Sequence, residues 1–364
     1  MSVVERSESV SFVIDGVARE VPAIWLRIQC QCDECRVVET SERRVVVGLD
    51  RDDHTISEVQ RTGDKTTITW ASGHRSIYSD ADMARLHRQS QRRRWTPTLW
   101  GEGHQPCEID HDELLADEDA RRDAFVRYRS EGVLVVRGVP ATNGDSEAFM
   151  AAVGLPVWES PFGRVADTAM NDNPYNVAET AEALPPHTDL AGYLWPPSGQ
   201  FLHMLVNECP GGDSIVVDGW HVLEDLRAQE PDVFELLATV EVAHRIYDER
   251  RETFARAPLV RVNTIGQIAG IRYSNQTLEP VPLDEPRIAD WFDAYGELTR
   301  RLHRPEYATT FRLNTEDAYL THAHRVLHAR TAYEPTGPRF LRDVYFEFDN
   351  LLGLVDQLAG DVPS

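Results

Sequence analysis

The sequence predicts a mainly β protein with flanking helices, in which a double-sheet jelly roll follows a small N-terminal domain. Three observations support this class. Short apolar runs of strand length, separated by Gly, Pro and Asn, dominate the second half of the chain. Few helical patterns interrupt these runs. A charged, helix-like stretch divides them from a first segment that has its own strand-like runs and a cysteine cluster.

Length and composition fit two domains. The 364 residues include 41% hydrophobic types, which is enough to build a core in each domain. We expect an N-terminal, metal-binding domain over residues 1–95, a linker over 96–115 and the jelly roll over 116–364.

The net charge limits the partners. The chain has 37 Lys and Arg residues against 60 Asp and Glu, a net charge of −23. Such a surface repels phosphate backbones and anionic lipids, so neither nucleic acid nor a membrane is an expected partner. The N-terminal residues lack the apolar core of a signal peptide, and no apolar stretch reaches the ~18 residues of a membrane span. We therefore expect a cytoplasmic protein.

The pattern of the first segment predicts short strands followed by a helix. Alternating apolar residues predict strands over residues 10–14 and 21–26. Strand-like runs follow at 44–49 and 66–70. Residues 81–94 form a charged, helix-like run that leads into the linker.

Three cysteines, Cys30, Cys32 and Cys35, fall within six positions of the first segment. In a chain expected to be cytosolic, such spacing favours a metal over disulfides. A closed tetrahedral zinc site needs a fourth ligand. His74 follows a glycine turn that could aim it at the thiols, and His54 is the competing candidate. With four protein ligands the zinc would be structural; three reduced thiols without a metal are the alternative.

The second half alternates between strand-like and helical patterns. Helical periodicity appears at residues 117–131, 221–229 and 286–302. Strand-like runs occur at residues 133–139, 200–206, 214–217, 240–247, 259–262, 268–273, 319–327 and 340–348. Many short strands with few long helices are typical of a jelly roll, an architecture whose open end can hold a metal.

One stretch of this half carries two types of metal ligand. His187 and Asp189 are two residues apart, so on a strand both side chains point to one face. His328, in a later strand-like run, is the best candidate for a third ligand. Two histidines and a carboxylate on one side of a metal form the facial triad of non-haem Fe(II) oxygenases, which leaves the opposite positions open for a cosubstrate and O2. A metal-free histidine, hydrogen-bonded to its neighbouring aspartate, is the alternative interpretation.

An iron of this kind needs an electron donor. If the donor is 2-oxoglutarate, its distal carboxylate needs a fixed cation, and arginine suits that role because its planar fork binds a carboxylate through two hydrogen bonds. Arg339 lies eleven residues beyond His328 at the start of a strand-like run, so a hairpin could return it to the site. Ser214, at the turn into another strand, could add a hydroxyl donor.

Several longer motifs occur in order along most of the chain. They are Trp25-Leu-Arg with the three cysteines, Trp70 to His74, Pro186-His-Thr-Asp189, Pro196-Pro-x-x-Gln200-x-Leu-His203, Gly211-Gly-Asp-Ser214-x-x-Val-Asp-Gly219, Arg325-Val-Leu-His328-x-Arg330 and Arg339. In this combination the chain resembles the gamma-butyrobetaine and trimethyllysine hydroxylase branch of the Fe(II)/2-oxoglutarate dioxygenases, and it is more distantly similar to taurine dioxygenase.

The resemblance implies roles for three groups of residues. The implied iron ligands are His187, Asp189 and His328, the implied 2-oxoglutarate contacts are Arg339 and Ser214, and the implied structural zinc ligands are Cys30, Cys32, Cys35 and His74. It also implies a double-stranded β-helix behind a small zinc-bearing domain, often assembled as a homodimer.

The chain departs from this family where a trimethylammonium substrate would bind. Hydroxylases of such substrates surround the cation with aromatic rings. Of four corresponding positions here, Phe162 alone has a ring and another is Glu179, which could pair with an amine or a guanidinium. Tyr193 lies nearby, and Asn275 remains from an asparagine-rich substrate strand. We expect these four residues to contact a different small polar substrate.

The expected activity is oxidation, most simply hydroxylation, of an unactivated C–H bond in a small amine- or carboxylate-bearing molecule, with O2 as cosubstrate and succinate and CO2 as coproducts. Hydroxylation of gamma-butyrobetaine or another trimethylammonium compound is the alternative within this class. Two other classes stay open: a non-catalytic metal-binding module, and a hydrolase in which the histidines and the aspartate hold zinc.

Overall fold

The protein is mainly β and consists of two compact units, Met1–Trp95 and Thr96–Ser364. The computed structural model describes residues 9–44, 46, 49, 53–91, 95–142, 144–160, 163–171, 174, 176–247 and 251–358. No helix in these ranges is long and apolar enough to cross a membrane.

The first unit contains a hairpin, a three-stranded antiparallel sheet and two helices. Its elements are β1 Ser9–Ile14, β2 Val17–Pro22, α1 Ala23–Ile28, β3 Ile56–Thr62, β4 Lys65–Trp70, β5 Arg75–Ser79 and α2 Asp80–Ser90. Strand β1 pairs with β2, and β4 lies between β3 and β5. Alternate residues of these strands meet helix side chains in one small core, which includes Phe12, Leu26, Trp70, Tyr78 and Met83.

The structure differs from the sequence prediction at the start of this unit. Residues 23–28 form α1 rather than the end of a strand, because Ala23 and Leu26 are buried at the three-residue spacing of a helix face. The predicted strand over 44–49 lies largely outside the described residues. Helix α2 confirms the predicted helix at 81–94 as far as Ser90, and residues 92–94 lie outside the described residues. Ser79 and Asp82 form a capping box at its first turn.

The second unit contains the remaining elements. Its helices are α3 His111–Ala116, α4 Glu118–Glu131, α5 Asp145–Ala152, α6 Gly219–Gln229, α7 Pro231–Thr239, α8 Ile288–Leu302 and α9 Phe348–Leu358. Its strands are β6 Cys107–Asp110, β7 Val133–Arg137, β8 Val157–Trp158, β9 Ala166–Ala169, β10 Leu184–His187, β11 Gly199–Asn207, β12 Ser214–Asp218, β13 Val242–Tyr247, β14 Glu252–Ala257, β15 Val260–Val262, β16 Ile268–Ile271, β17 Ala308–Phe311, β18 Ala318–His322, β19 Val326–Arg330 and β20 Arg339–Phe346.

Two sheets form the centre of this unit. One has the strand order β6-β7-β18-β11-β20-β8, with β9 also paired to β20, and the other has the order β10-β19-β12-β17. All of these pairs are antiparallel except β6 with β7. Apolar side chains from both sheets, among them Leu202 and Tyr319 from one and Val216 and Val326 from the other, share one core. The sheets therefore pack face to face.

The strands and helices predicted for this unit are present apart from one strand that is divided, and several further elements were not predicted. The single strand predicted over 319–327 is two strands, β18 and β19, separated by a turn at residues 323–325. The prediction missed the helices α3, α5, α7 and α9 and the strands β8, β9, β14 and β17. Residues 107–110, inside the predicted linker, form an edge strand parallel to β7, and four residues are too few for a clear alternation.

Candidate functional site

The neighbouring strands β10 and β19 of the four-stranded sheet bring two histidines together. Their antiparallel register sets His187 opposite His328, and Asp189 follows two residues after His187. His187 Nε2 lies 3.3 Å and His328 Nε2 lies 3.7 Å from Asp189 Oδ1. One ligand atom from each residue lies within 4.8 Å of the other two. Three distant sequence positions therefore form one cluster with the spacing that a metal ion needs.

Hydrogen bonds hold the ligand atoms of this cluster in place. His187 donates through Nδ1 to the Pro185 carbonyl at 2.9 Å, which leaves Nε2 facing the aspartate. Asp189 Oδ2 accepts from Gln200 Nε2 at 2.7 Å and from the Tyr345 hydroxyl at 2.8 Å. The carboxylate is therefore fixed through one oxygen, and the other oxygen faces the imidazoles.

Charge within the cluster favours the protonation states of metal ligands at His328 and Asp189, whereas at His187 burial is outweighed by the Asp189 carboxylate, which raises the pKa of that imidazole. Burial, together with the neighbouring His187, lowers the pKa of His328 to about 4, so that its imidazole is neutral near pH 7. Burial opposes ionisation of Asp189, but the His328 and His187 imidazoles outweigh it and lower the pKa of Asp189. A neutral imidazole and an ionised carboxylate are the forms that bind a metal.

The cluster opens into a small cavity of about 70 Å³ between the two sheets. The cavity is lined by Thr168, Ala178, Leu184, His187, Asp189, Leu202, Ser214, Tyr319, His328, Arg330, Arg339, Leu341 and Asp343. The predicted cosubstrate residues, Ser214 and Arg339, therefore line the same cavity as the predicted iron ligands.

Arg339 has free hydrogen-bonding capacity inside this cavity. Its guanidinium packs 5.1 Å from the centre of the Tyr333 ring, and its buried Nε has no hydrogen-bond partner among the described residues. Gly212 leaves the space beside it, since a Cβ on that residue would lie 3.1 Å from Arg339 Nε. A buried guanidinium with an unused donor fits a bound carboxylate.

The donor set of this cluster fits Fe(II). Two imidazoles and one carboxylate, with further positions open toward a cavity, are the ligands of non-haem iron oxygenases. The arginine with an unused donor in the lining of the same cavity fits the distal carboxylate of 2-oxoglutarate. These residues can thus hold both groups.

A second cluster joins Cys30, Cys32, Cys35 and His74, whose ligand atoms also lie within 4.8 Å of one another. His74 Nε2 is 3.4, 3.7 and 3.5 Å from the three sulfurs in that order, and Cys30 Sγ is 3.6 Å from Cys32 Sγ. A tetrahedron with zinc bond lengths would have edges of about 3.5 Å from nitrogen to sulfur and about 3.8 Å between sulfurs. The cluster therefore has the dimensions of a closed zinc site.

The surroundings of the second cluster decide between the two candidate histidines. Glu34 Oε2 lies 3.1 Å from His74 Nδ1 and orients the ring, as carboxylates do behind zinc-bound histidines. His54 is not part of the cluster, and its Nδ1 is buried without a hydrogen-bond partner in the described part of the chain.

The three predicted substrate residues that the structure describes do not line the cavity. Glu179 is buried beside it and accepts a hydrogen bond from Asn171 at 3.1 Å. Tyr193 packs edge-on against Trp158, with ring centres 5.5 Å apart. Asn275 is exposed and accepts a hydrogen bond from the Tyr295 hydroxyl. Phe162 lies outside the described residues, and the four assignments stay predictions.

Four residues of the two clusters were not predicted from the sequence: Gln200, Tyr345, Asp343 and Glu34. Tyr345 and Asp343 follow Arg339 at even spacing on β20, so one face of a single strand carries all three. That periodicity was available as a signal. No such periodicity marks Gln200 or Glu34. Gln200 contacts Asp189 across a loop, and Glu34 contacts His74 from a segment forty residues earlier in the chain.

Comparisons with protein families match both units. A family model described as "Taurine catabolism dioxygenase TauD, TfdA family" matches residues 91–345. A second model, "Gamma-butyrobetaine hydroxylase-like, N-terminal", matches residues 6–82.

Individual relatives match over nearly the whole chain. Gamma-butyrobetaine dioxygenase of Pseudomonas sp. (strain AK-1) is 29% identical over 350 residues, which cover 94% of this chain and 91% of that protein. Mitochondrial trimethyllysine dioxygenase of Gallus gallus is 26% identical over 346 residues, 90% of this chain and 81% of that protein. The crystal structure of a taurine dioxygenase from Burkholderia xenovorans aligns at a TM-score of 0.51 and 18% identity, covering 68% of this chain and 89% of that one. This last similarity concerns the fold.

Proposed function

Because the chain belongs to the TauD, TfdA family and is an Fe(II)/2-oxoglutarate-dependent dioxygenase, we propose that it hydroxylates a small polar substrate at the cluster of His187, Asp189 and His328. The observation that supports this site is the shared cavity. Three possible iron ligands and an arginine with an unused donor line one space between two sheets. The family relationship expected from the sequence motifs is confirmed by the match to residues 91–345.

Each group would be held by different residues. His187, Asp189 and His328 would bind Fe(II), and Arg339 with Ser214 would bind the distal carboxylate of 2-oxoglutarate. When bound, the two groups supply the oxidising chemistry, in which O2 converts 2-oxoglutarate to succinate and CO2 and places one oxygen atom in a C–H bond of the substrate.

The protein's own contribution to this reaction is placement. Gln200 and Tyr345 hold the Asp189 carboxylate, and the Pro185 carbonyl holds the His187 ring. The apolar side chains Leu184, Leu202 and Leu341 line the cavity beside these polar groups. A fixed site keeps the substrate carbon close to the place where oxidation begins.

We propose a structural role for the second cluster. A zinc ion held by Cys30, Cys32, Cys35 and His74 would have four protein ligands and no open position, which is typical of structural zinc. It would stabilise a unit of modest core size. The domain limits of 1–95, 96–115 and 116–364 and the double-stranded β-helix architecture belong to the same proposal, supported by the two face-to-face sheets.

A homodimeric assembly and a cytoplasmic location are further proposals. The dimer follows from the family resemblance. The location is supported by five free cysteines in the described structure, which suit a reducing compartment.

The substrate is proposed to be a small molecule with an amine or a carboxylate. Hydroxylation of a trimethylammonium compound is the second candidate, because relatives named gamma-butyrobetaine and trimethyllysine dioxygenase match 90% or more of this chain.

The test of the site is an anaerobic titration of zinc-loaded protein with Fe(II) and 2-oxoglutarate. Chelation of 2-oxoglutarate to iron produces a visible charge-transfer band, which we expect for the unchanged protein and for the control His303→Ala, an exposed histidine. We expect His328→Ala to lose the band and succinate production. A folded His328→Ala protein that keeps both would show that the cluster is not the iron site.

A further inference from the structure

One carboxylate in the cavity has no part in the binding of iron or 2-oxoglutarate. Asp343 is 8% exposed and lines the cavity from β20. It shares a strand face with Arg339, four residues earlier, which places the two about 13 Å apart along the strand. Arg330, on β19, packs with Arg339 on the Tyr333 ring, so the two arginines of the cavity lie together and away from Asp343.

The neighbours of Asp343 do not compensate its charge. Gln200 Nε2 donates to Asp343 Oδ1 at 3.0 Å and to Asp189 Oδ2 at 2.7 Å, so the two carboxylates are at most about 6 Å apart. Arg342, the adjacent residue, forms a two-point ion pair with Asp167 at 2.6 and 2.9 Å. No described residue forms an ion pair with Asp343.

The bound groups would not supply a counter-charge either. Fe(II) carries two positive charges, while Asp189 and 2-oxoglutarate together carry three negative ones. Arg339 would neutralise the remainder. Arg330 packs with Arg339 on the Tyr333 ring and donates to the carbonyls of Ala178, Thr180 and Glu182 rather than to Asp343. A buried carboxylate without a cation is unfavourable, and a single amide donor offsets only part of its lost hydration. Burial and the neighbouring Asp189 raise the pKa of Asp343 to about 8, so its ionised form needs a cation beside it near neutral pH.

We infer that Asp343 binds a cationic group of the substrate, a protonated amine or a guanidinium, next to the position of oxidation. This inference rests on the proposed function and narrows its substrate class. The short separation from Asp189 places the cation beside the iron site, so the oxidised carbon lies within a few bonds of the nitrogen.

The same surroundings disfavour a trimethylammonium group. Such a cation cannot donate hydrogen bonds and is usually bound by the faces of several aromatic rings. Apart from the imidazoles of the two iron ligands, Tyr319 has the only aromatic ring among the described residues that line the cavity. A carboxylate accepts hydrogen bonds from N–H groups, so the site favours an amine that keeps them.

The experiment measures succinate release with pairs of probes that differ in one property. Lysine is compared with trimethyllysine, 4-aminobutyrate with gamma-butyrobetaine, and arginine with citrulline, which has the same shape without the charge. We expect at least one amine or guanidinium probe to stimulate release at least about tenfold more than its partner. We expect Asp343→Asn to lose this preference, Asp343→Glu to retain part of it, and the control Asp167→Asn to retain it fully.

The outcomes separate this inference from the proposed function. If the charge-transfer band with Fe(II) and 2-oxoglutarate does not form, the proposed function fails. If the band forms but no cationic probe stimulates release, or if trimethylated or uncharged partners stimulate equally, the inference is wrong. It is also wrong if Asp343→Asn protein that shows the band keeps the preference of the unchanged protein.

Discussion

The guanidinium of Arg339 lies beside a residue without a side chain, Gly212. Gly212 has a φ of +70°, a conformation that side-chain-bearing residues rarely adopt, and its Cα faces the guanidinium. An added Cβ would lie 3.1 Å from Arg339 Nε and 3.3 Å from Tyr333 Cβ. The arginine is held between this glycine and the Tyr333 ring, and neither can move without changing its direction.

We predict that Gly212→Ala weakens 2-oxoglutarate binding by on the order of tenfold, because the new methyl group displaces the guanidinium. The backbone strain of about 1 kcal/mol is a separate effect. Gly266→Ala is the matched control, since Gly266 has a φ of +80° and nothing within 4 Å of an added Cβ.

The titration of iron-loaded protein with 2-oxoglutarate, followed by the charge-transfer band, measures this change. Both variants should lose similar thermal stability, and only Gly212→Ala should need more 2-oxoglutarate. Equal affinities in the two variants would contradict the role given to Arg339.

Strand β19 is anchored immediately before it delivers His328 to the cavity. Arg325, in the preceding turn, forms an ion pair with Asp218 at 2.8 Å, and both side chains are fully buried. Asp218 ends β12 and also caps α6 through the backbone N–H groups of Trp220 and His221. Two strands and one helix thus start or end at one charge pair, which fixes the register that sets His328 opposite His187.

In the first unit, the cluster of three cysteines and His74 brings a loop next to the start of a strand. Cys30, Cys32 and Cys35 follow α1, and His74 directly precedes β5. The hydrophobic core of this unit is small, so a bound zinc ion should contribute a large share of its stability.

We predict that Cys32→Ser lowers the zinc content and lowers the melting temperature of the first unit by at least about 5 °C, while iron binding persists. Cys209→Ser is the control, because this buried cysteine lies outside the cluster and donates a hydrogen bond to the Gly337 carbonyl. Metal analysis with thermal unfolding provides the measurement. Full zinc occupancy in Cys32→Ser would refute the site.

Across the second unit, several buried histidines make stability depend on pH. Burial lowers the pKa of His203, His244 and His324 to about 4. His203 shows why this state is stable, since it donates to the Val139 carbonyl at 3.1 Å and accepts from Ser146 at 2.9 Å as a neutral ring. In the unfolded chain such groups bind protons near pH 6.5.

Unfolding therefore takes up protons, and we predict that the free energy of unfolding falls as the pH drops from about 6.5 toward 4. Each of these histidines contributes about 1.4 kcal/mol per pH unit in that range. The stabilising effect is complete above pH 6.5. Urea unfolding of iron-free protein at pH 7, 6 and 5 measures the slope, and His244→Leu should reduce it by one proton. A free energy that stays constant from pH 7 to 5 would contradict this prediction.

The mainly β class and the family follow from the sequence, which also predicted the three candidate iron ligands and the three cysteines and left the fourth zinc ligand open between His74 and His54. Each of these follows from local information: a two-residue alternation identifies strands, and the spacing of His187 to Asp189 or of the three cysteines places ligands on one short segment. Few types of residue bind metals. A short motif of such residues therefore indicates a metal site even before the remaining ligands are located.

The tertiary structure alone decided which distant groups meet. The choice of His74 over His54, the hydrogen bonds from Gln200 and Tyr345 to Asp189, and the position of Asp343 all depend on contacts between segments far apart in the chain. Strand register and sheet packing set such contacts, and both come from the summed burial of the whole core rather than from any local pattern.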